Sequence, residues 1–237
     1  MDIQELIKIR RHLILLSSSI DNLGLMNGKM GISIFFYHYY RFSKKKIYKK
    51  YADELVTEIY DEIDLKYPTN FSDGLAGIAW GIEYLIRNKF VVADSDELLG
   101  DLDRQIVKID VRKISDYSLE TGLIGLSYYV IARYVSKKRI SPVISMQYVF
   151  ELLQSLIKSK DEGLEIKNLI FQLQCIIKGK DLTINPDFFL LELINKNKAG
   201  SKKIFNKKLP LGINGGYAGI GLKILKQYEY EKKNLYF

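Results

Sequence analysis

The residues of this chain best placed to do chemistry are carboxylates that stand at the mouths of glycine boxes. Asp73 directly precedes Gly74-Leu75-Ala76-Gly77, and Glu120 lies two residues before Gly122-Leu123-Ile124-Gly125. Two carboxylates that face one cavity can serve as general acid and general base, as in glycoside hydrolysis. Glu83 is a third candidate, set among Trp80, Ile82, Tyr84 and Leu85; a glutamate in such company is either ion-paired or open to a cavity. Asn27, Asn214 and Tyr217 occupy comparable places in two further boxes. Together with Asp73, Trp80 and Glu120 they form the candidate ligand-binding set. The same positions also suit structural work. Asn27, Asp73 and Thr121 fall in the slot of a helix N-cap, where a short polar side chain accepts from the first-turn amides.

Soft metal ligands are few: the chain has one cysteine, Cys175, and two histidines, His12 and His38. Cys175 falls in an apolar helical stretch, where a thiol behaves as a small hydrophobe. His38 sits in the aromatic run Phe35-Phe36-Tyr37-His38-Tyr39-Tyr40, and His12 lies between Arg11 and Leu13. No metal or other cofactor is expected. The segment Gly212-Ile213-Asn214-Gly215-Gly216-Tyr217-Ala218-Gly219 lacks the Lys-Ser/Thr of a phosphate loop.

The boxes themselves form a repeat. Asn27-Gly28-Lys29-Met30-Gly31, Asp73-Gly74-Leu75-Ala76-Gly77, Thr121-Gly122-Leu123-Ile124-Gly125 and Gly215-Gly216-Tyr217-Ala218-Gly219 each run into an apolar stretch. Their second glycines lie 46, 48 and 94 residues apart, and 94 is twice 47. A fixed period of this size marks a repeat architecture. After each box, apolar residues recur around most of a helix, so these helices are buried on several sides. Between the boxes, residues 47–64, 94–111, 143–159 and 186–195 carry one apolar stripe each, as outer helices do. A fourth inner helix is expected over 165–178 without its glycine box, and an opening outer helix over 3–18. Glycine costs up to about 1 kcal/mol against alanine inside a helix. Its recurrence points to close packing and to open amides at the mouth of a cavity. The reading is all-α: about five helical hairpins in one domain spanning 1–237.

Composition narrows the partners. A net charge of +8, from 36 Lys+Arg against 28 Asp+Glu, attracts acidic partners at long range. The lysine runs at 44–46, 49–50, 202–203 and 207–208 fall in expected loops or at helix ends, and no nucleic-acid-binding signature accompanies them. Nucleic acid is therefore not expected. No apolar run of about twenty residues is present to span a bilayer. Residues 1–20 read as an amphipathic helix rather than a secretory signal, and a single cysteine fits a reducing, cytoplasmic setting.

Inner helices entered through Asn/Asp-Gly-x-x-Gly at a period in the mid-forties resemble the lanthionine synthetase C-like family. Gly28–Tyr39, Gly74–Leu85 and Ser118-Leu119-Glu120-Thr121-Gly122-Leu123 are similar to a short bacterial branch of it, and the resemblance extends over almost the whole chain. It implies an α/α toroid whose inner helices begin at the boxes. In the family's peptide cyclases, two cysteines and a histidine in Trp-Cys-Tyr-Gly and Cys-His-Gly motifs hold a zinc ion. That zinc activates a substrate thiol for addition to a dehydrated serine or threonine. Neither motif occurs here, and five hairpins fall short of the seven usual in the cyclases. The resulting expectation is a zinc-free accessory protein of a bacterial peptide-modification pathway, binding a peptide or a modifying enzyme at the glycine-box end. The competing expectations are a metal-independent carboxylate hydrolase acting on glycosides and an oligomeric scaffold built from copies of this chain.

Overall fold

Every apolar period in the sequence becomes a helix. The computed structural model describes residues 3–160, 163–196 and 209–234. Among them run α1 (Ile3–Leu16), α2 (Lys29–Ser43), α3 (Lys46–Glu62), α4 (Leu75–Arg87), α5 (Ser95–Ile106), α6 (Leu123–Lys137), α7 (Met146–Ile157), α8 (Leu164–Ile177), α9 (Asp187–Lys196) and α10 (Tyr217–Asn234). There is no strand among the described residues. The expected all-α class and five outer–inner helix pairs are thus present, with α7 and α8 as the pair that lacks a box. No described helix is long and apolar enough to cross a membrane. Lys44, at φ +60°, turns the chain between α2 and α3, which places the first lysine run at a corner. The runs at 202–203 and 207–208 lie outside the described residues.

Burial sets apart the helices that follow a glycine box; α8, which follows none, buries only Ile166, Leu169, Leu173, Cys175 and Ile176 and so is not the enclosed inner helix expected there. Eleven consecutive residues of α2, Lys29 to Tyr39, are buried, and so are twelve of α6, Leu123 to Tyr134. By contrast, α3 buries only Ala52, Leu55 and Ile59, one residue per turn on a single stripe. Side-chain capping is found on two of the outer helices, though not on α3. Asp94 and Ser145 cap the outer helices α5 and α7 through their side chains, accepting from the amides of Asp96 and Tyr148. The inner helices start differently. Gly28, Gly74 and Gly122 are the N-caps of α2, α4 and α6, and no side chain caps any of them. Asn27, Asp73 and Thr121 each stand one residue earlier, so the capping expected of them is not what they do.

The chain divides into two compact units, residues 1–63 with 187–237 and residues 64–186. In the first, α2 lies against α3 and α10, and α10 also contacts α1 and α9. Leu6, Ile9 and Leu13 of α1 and Phe35, Phe36 and Tyr37 of α2 are fully shut from solvent. Gly221 of α10 lets this core close: an added Cβ there would collide with the Phe35 ring. Arg10 lies over the rings of Tyr39 and Tyr48 and donates to the Tyr48 hydroxyl at 2.7 Å.

One polar cluster is partly buried in this unit. His38 is fully buried, with Nδ1 3.7 Å from Glu229 Oε1. Lys226 bonds Asp187 at 2.7 Å and Glu229 at 3.1 Å. Burial lowers the His38 pKa from its ordinary 6.5, against the opposing pull of Glu229. For Glu229, burial works upward, but His38 and Lys226 outweigh it and hold the carboxyl at about 2.

In the second unit α6 lies between α4 and α8, α5 packs on α4, and α7 packs on both α6 and α8. Gly125 in α6 makes room for Phe71, which belongs to the loop before α4; a Cβ on Gly125 would lie 2.5 Å from the Cβ of Phe71. The first unit repeats this arrangement with Gly31 and Ile213, where an added Cβ would lie 2.8 Å from Ile213 Cγ1.

Two expected outcomes follow from this packing. Gly125→Ala collides with Phe71 and the Leu119 carbonyl and should cost about 1–3 kcal/mol, as overpacking does. Gly100→Ala, whose Cβ would meet nothing nearer than 3.7 Å, should be neutral or stabilise by up to about 1 kcal/mol; urea melts of both variants check the contrast. For pH, the unfolded chain takes up the His38 proton as pH falls below 6.5, whereas the native state resists it. Glu229 adds a second loss as pH falls from 4.5 toward about 2. Stability should therefore decline on acidification, and His38→Gln should flatten the upper part of the decline in thermal melts. Identical wild-type and variant profiles would contradict this assignment.

Candidate functional site

The entrance to each inner helix is built by a loop that folds back across it. The amide that follows the first glycine of each box donates to a carbonyl seven residues upstream. The pairs are Lys29 to Asn22 at 2.9 Å, Leu75 to Pro68 at 2.8 Å, Leu123 to Asp116 at 3.0 Å and Tyr217 to Pro210 at 3.0 Å. A Cβ on Gly28, Gly74, Gly122 or Gly216 would run into that same carbonyl. The first glycine is therefore a requirement of close backbone approach. The bond also fills one of the orphan donors of the helix start, so the amides expected to stand open at the mouth are partly occupied. Asn22 and Asp116 set this turn with their side chains, each accepting an amide two residues on, from Gly24 at 2.7 Å and Ser118 at 2.7 Å. The other two copies use Pro68 and Pro210. Six residues before each first glycine there is thus a turn-forming residue, a recurrence visible in the sequence and not singled out there.

The loop before the α4 box and the entrance of α6 frame a cavity. Pro68, Thr69, Asn70, Ile109, Ile114, Thr121 and Leu126 line a space of about 450 Å³. Its walls are mostly aliphatic, with an amide and two hydroxyls as polar points, the makeup of a small-ligand or peptide side-chain pocket. Around it the loops are tied together. The Glu120 carbonyl accepts from the amides of Phe71 at 3.0 Å and Ser72 at 2.9 Å, which joins the two boxes through backbone alone. Asn70 accepts from the Asp73 amide at 2.9 Å, and Ser72 donates to the Asp73 carboxylate at 2.8 Å. Thr121 donates to Asp116, whose carboxyl is held below its ordinary value first by that bond and then by the Ser118 amide.

The expected site residues are placed as follows. Asp73 and Glu120 belong to adjoining loops beside this cavity, with Glu120 exposed and Asp73 half-buried. Trp80 is buried in α4, stacked on Tyr84 with ring centroids 5.3 Å apart and edge-on to Phe71 at 6.1 Å. Asn27, Asn214 and Tyr217 belong to the other unit. There the Asn214 amide donates to the Met26 carbonyl at 2.9 Å, and Tyr217 is buried with its ring 4.3 Å from His12. Of the soft ligands, Cys175 is buried in α8, and no group of three or more His, Cys, Asp or Glu is arranged to hold a metal among the described residues.

Glu83 is the paired kind of glutamate. It is fully buried and bonds Arg133 of α6, which also bonds Asp103 of α5 at 2.7 Å and Asp96 at 3.0 Å. Asp103 in turn accepts from the Tyr129 hydroxyl and from Ser141 at 2.6 Å. Burial opposes the charge on Arg133, but Asp103 and Glu83 outweigh it and raise its pKa. Lys137 and Arg139 bond the outer oxygen of Asp96 and carry the network to the surface. Glu83 was singled out in the sequence, but Arg133, Asp96 and Asp103 escaped the reading, because the partners lie 30 to 50 residues from Arg133 in the chain. The one available signal was an arginine within the apolar run of α6. Arg133→Met strands two buried carboxylates and should cost about 3–5 kcal/mol, while replacing Glu83 and Asp103 with apolar residues alongside it should recover most of that loss. Urea unfolding followed through Trp80 measures both.

Comparison with known proteins bears on the whole arrangement. No curated protein matches the chain. A family model described as lanthionine synthetase C-like protein matches residues 19–179, a stretch that takes in the first three glycine boxes, the loops folded over them and the Arg133 network. With about two thirds of the sequence matched and an all-α fold of helical hairpins beneath it, this chain belongs to the lanthionine synthetase C-like family.

Proposed function

We propose that this protein is a peptide-binding accessory component of a bacterial, lanthipeptide-like modification pathway, working in the cytoplasm without the zinc chemistry of the cyclases. The observation that carries the reading is an intact family frame beside a donor set that does not fit zinc. A catalytic zinc site of the cyclase kind needs two thiolates and an imidazole with a fourth position open, and these 237 residues contain one cysteine. That thiol is buried in α8, His12 packs on Tyr217, and His38 is sealed beside Glu229.

The cavity between the boxes of α4 and α6 supports binding of a peptide. Ile109, Ile114 and Leu126 suit an aliphatic side chain, and Asn70 and Thr121 supply polar groups for the backbone beside it. The +8 charge favours an acidic peptide or enzyme partner over a basic one. In this reading residues 1–237 act as one domain, and nucleic acid is not a partner.

The test is a titration of the purified protein with the peptide encoded beside its gene, followed by the emission of Trp80, the only tryptophan. Trp80 touches Phe71, the neighbour of Asn70, so occupancy should shift its emission. Thr121→Arg, which plugs the cavity from an exposed position, should weaken binding by about tenfold or more. Calorimetry with zinc should show no tight stoichiometric uptake. Turnover of a glycan panel, lost in Asp73→Ala and Glu120→Ala, would overturn the proposal in favour of a hydrolase.

A further inference from the structure

Several cations drawn into this protein meet carboxylates. Lys29 bonds Glu58 at 3.1 Å and Glu62 at 3.2 Å, Lys226 bonds Asp187, and Arg133 bonds Glu83, Asp96 and Asp103. Arg10 of α1 does not. Its half-buried guanidinium lies over the rings of Tyr39 in α2 and Tyr48 in α3, 5.7 and 5.5 Å from their centroids. Nη1 donates to the Tyr48 hydroxyl at 2.7 Å and to the Tyr39 hydroxyl at 3.4 Å, and no carboxylate among the described residues pairs with the group. The result is a surplus of donors. Each hydroxyl already accepts from Arg10, so its own proton must go elsewhere, and no acceptor among the described residues takes either one. Burial raises the Tyr39 pKa above its ordinary 10, against the opposing pull of Arg10, so that hydroxyl keeps its proton at neutral pH. Arg10 Nε is shut from solvent without a partner, whereas Nη2, equally unbonded among the described residues, reaches solvent. Orphan donors around an unanswered charge call for an explanation, and an ion is one.

We propose that Arg10, Tyr39 and Tyr48 form a binding site for a small oxyanion of the phosphate class. Water can take the orphan protons but leaves the charge unanswered. A phosphate group accepts at each free oxygen and answers both. Arginine suits this task through its planar fork, and here the two rings and two hydroxyls already hold it in place, so little freedom is lost on binding. The neighbouring charges agree. Residues 1–12 and 38–54 carry nine Lys and Arg against four Asp and Glu, and Asp53 and Glu54 among these are paired with Lys49 and Lys50. The first turn of α3, which holds Tyr48, has no acidic residue. Residues 224–234 of α10, which packs on α1 and α2, add three Lys and two Glu and leave the sign unchanged. A dianion gains more from such a surplus than a singly charged carboxylate does. The site lies wholly in the first unit and shares no residue with the cavity beside α6, so either reading can fail while the other stands.

The test uses the full chain in a buffer free of phosphate and sulfate. Inorganic phosphate, titrated by calorimetry, should bind saturably at about one ion per chain with a roughly millimolar Kd, and sodium chloride should weaken it through screening. Arg10→Lys keeps the charge and loses the fork; Tyr48→Phe keeps the ring and loses the hydroxyl. Each should raise Kd by about three- to tenfold while leaving the circular dichroism unchanged. Tyr48 is only half-buried, so Tyr48→Phe carries the test should Arg10→Lys fail to fold. Phosphoserine in a parallel titration separates the sources: binding as tight as phosphate or tighter marks a phosphate ester as the ligand, and weaker binding marks the free ion. Three results would overturn the proposal: no saturable phosphate uptake, uptake that both variants keep in full, or acetate bound as tightly as phosphate.

Discussion

The contact on which the rest of this protein depends is a backbone carbonyl held against the first turn of each inner helix. Asn22, Pro68, Asp116 and Pro210 each present that carbonyl to the amide after the first glycine. A side chain at the glycine would occupy the same space, so the hydrogen bond and the missing Cβ are one requirement seen from two sides. Once the loop is anchored in this way, the apolar residue six before the second glycine can enter the neighbouring repeat, as Phe71 does at Gly125 and Ile213 at Gly31. The boxes are therefore joints between repeats. Where two such joints meet they leave a small, mostly aliphatic cavity.

Family membership and chemistry rest on different residues. The family's frame rests on glycines, loop carbonyls and buried helices, all of which serve packing. Its zinc chemistry rests on three donor side chains, and fold alone does not supply those. The carboxylates near the boxes show the same separation. Glu120 joins the two loops through its backbone carbonyl, and its side chain stays in solvent.

Much of the fold was legible in the sequence because it is periodic. Apolar residues at helical spacing located all ten helices among the described residues, and the recurring glycines marked four of them as buried helices. The capping assignment missed for a physical reason: short polar residues before a helix signal a side-chain cap, and here a distant carbonyl does that work. Side-chain caps were present, at Asp94 and Ser145, on the outer helices instead. The site was less legible. Leu126 and Thr121 lay inside a recognised box, but Ile109, Ile114 and Asn70 became pocket walls only through the folding back of two loops. Glu83 shows the limit most clearly, since its surroundings in sequence allowed two fates and the choice depended on Arg133, fifty residues away.

Arg133 has a consequence for how the second unit comes apart. Stacked helical repeats usually behave as a chain of nearest neighbours, able to fray from an end one repeat at a time. Here one guanidinium on α6 is shared by Glu83 on α4 and by Asp96 and Asp103 on α5. Peeling away any one of these helices strands a charge in the other two, so the cost of opening falls on all three at once. The network thus couples α4, α5 and α6 into one block within the second unit.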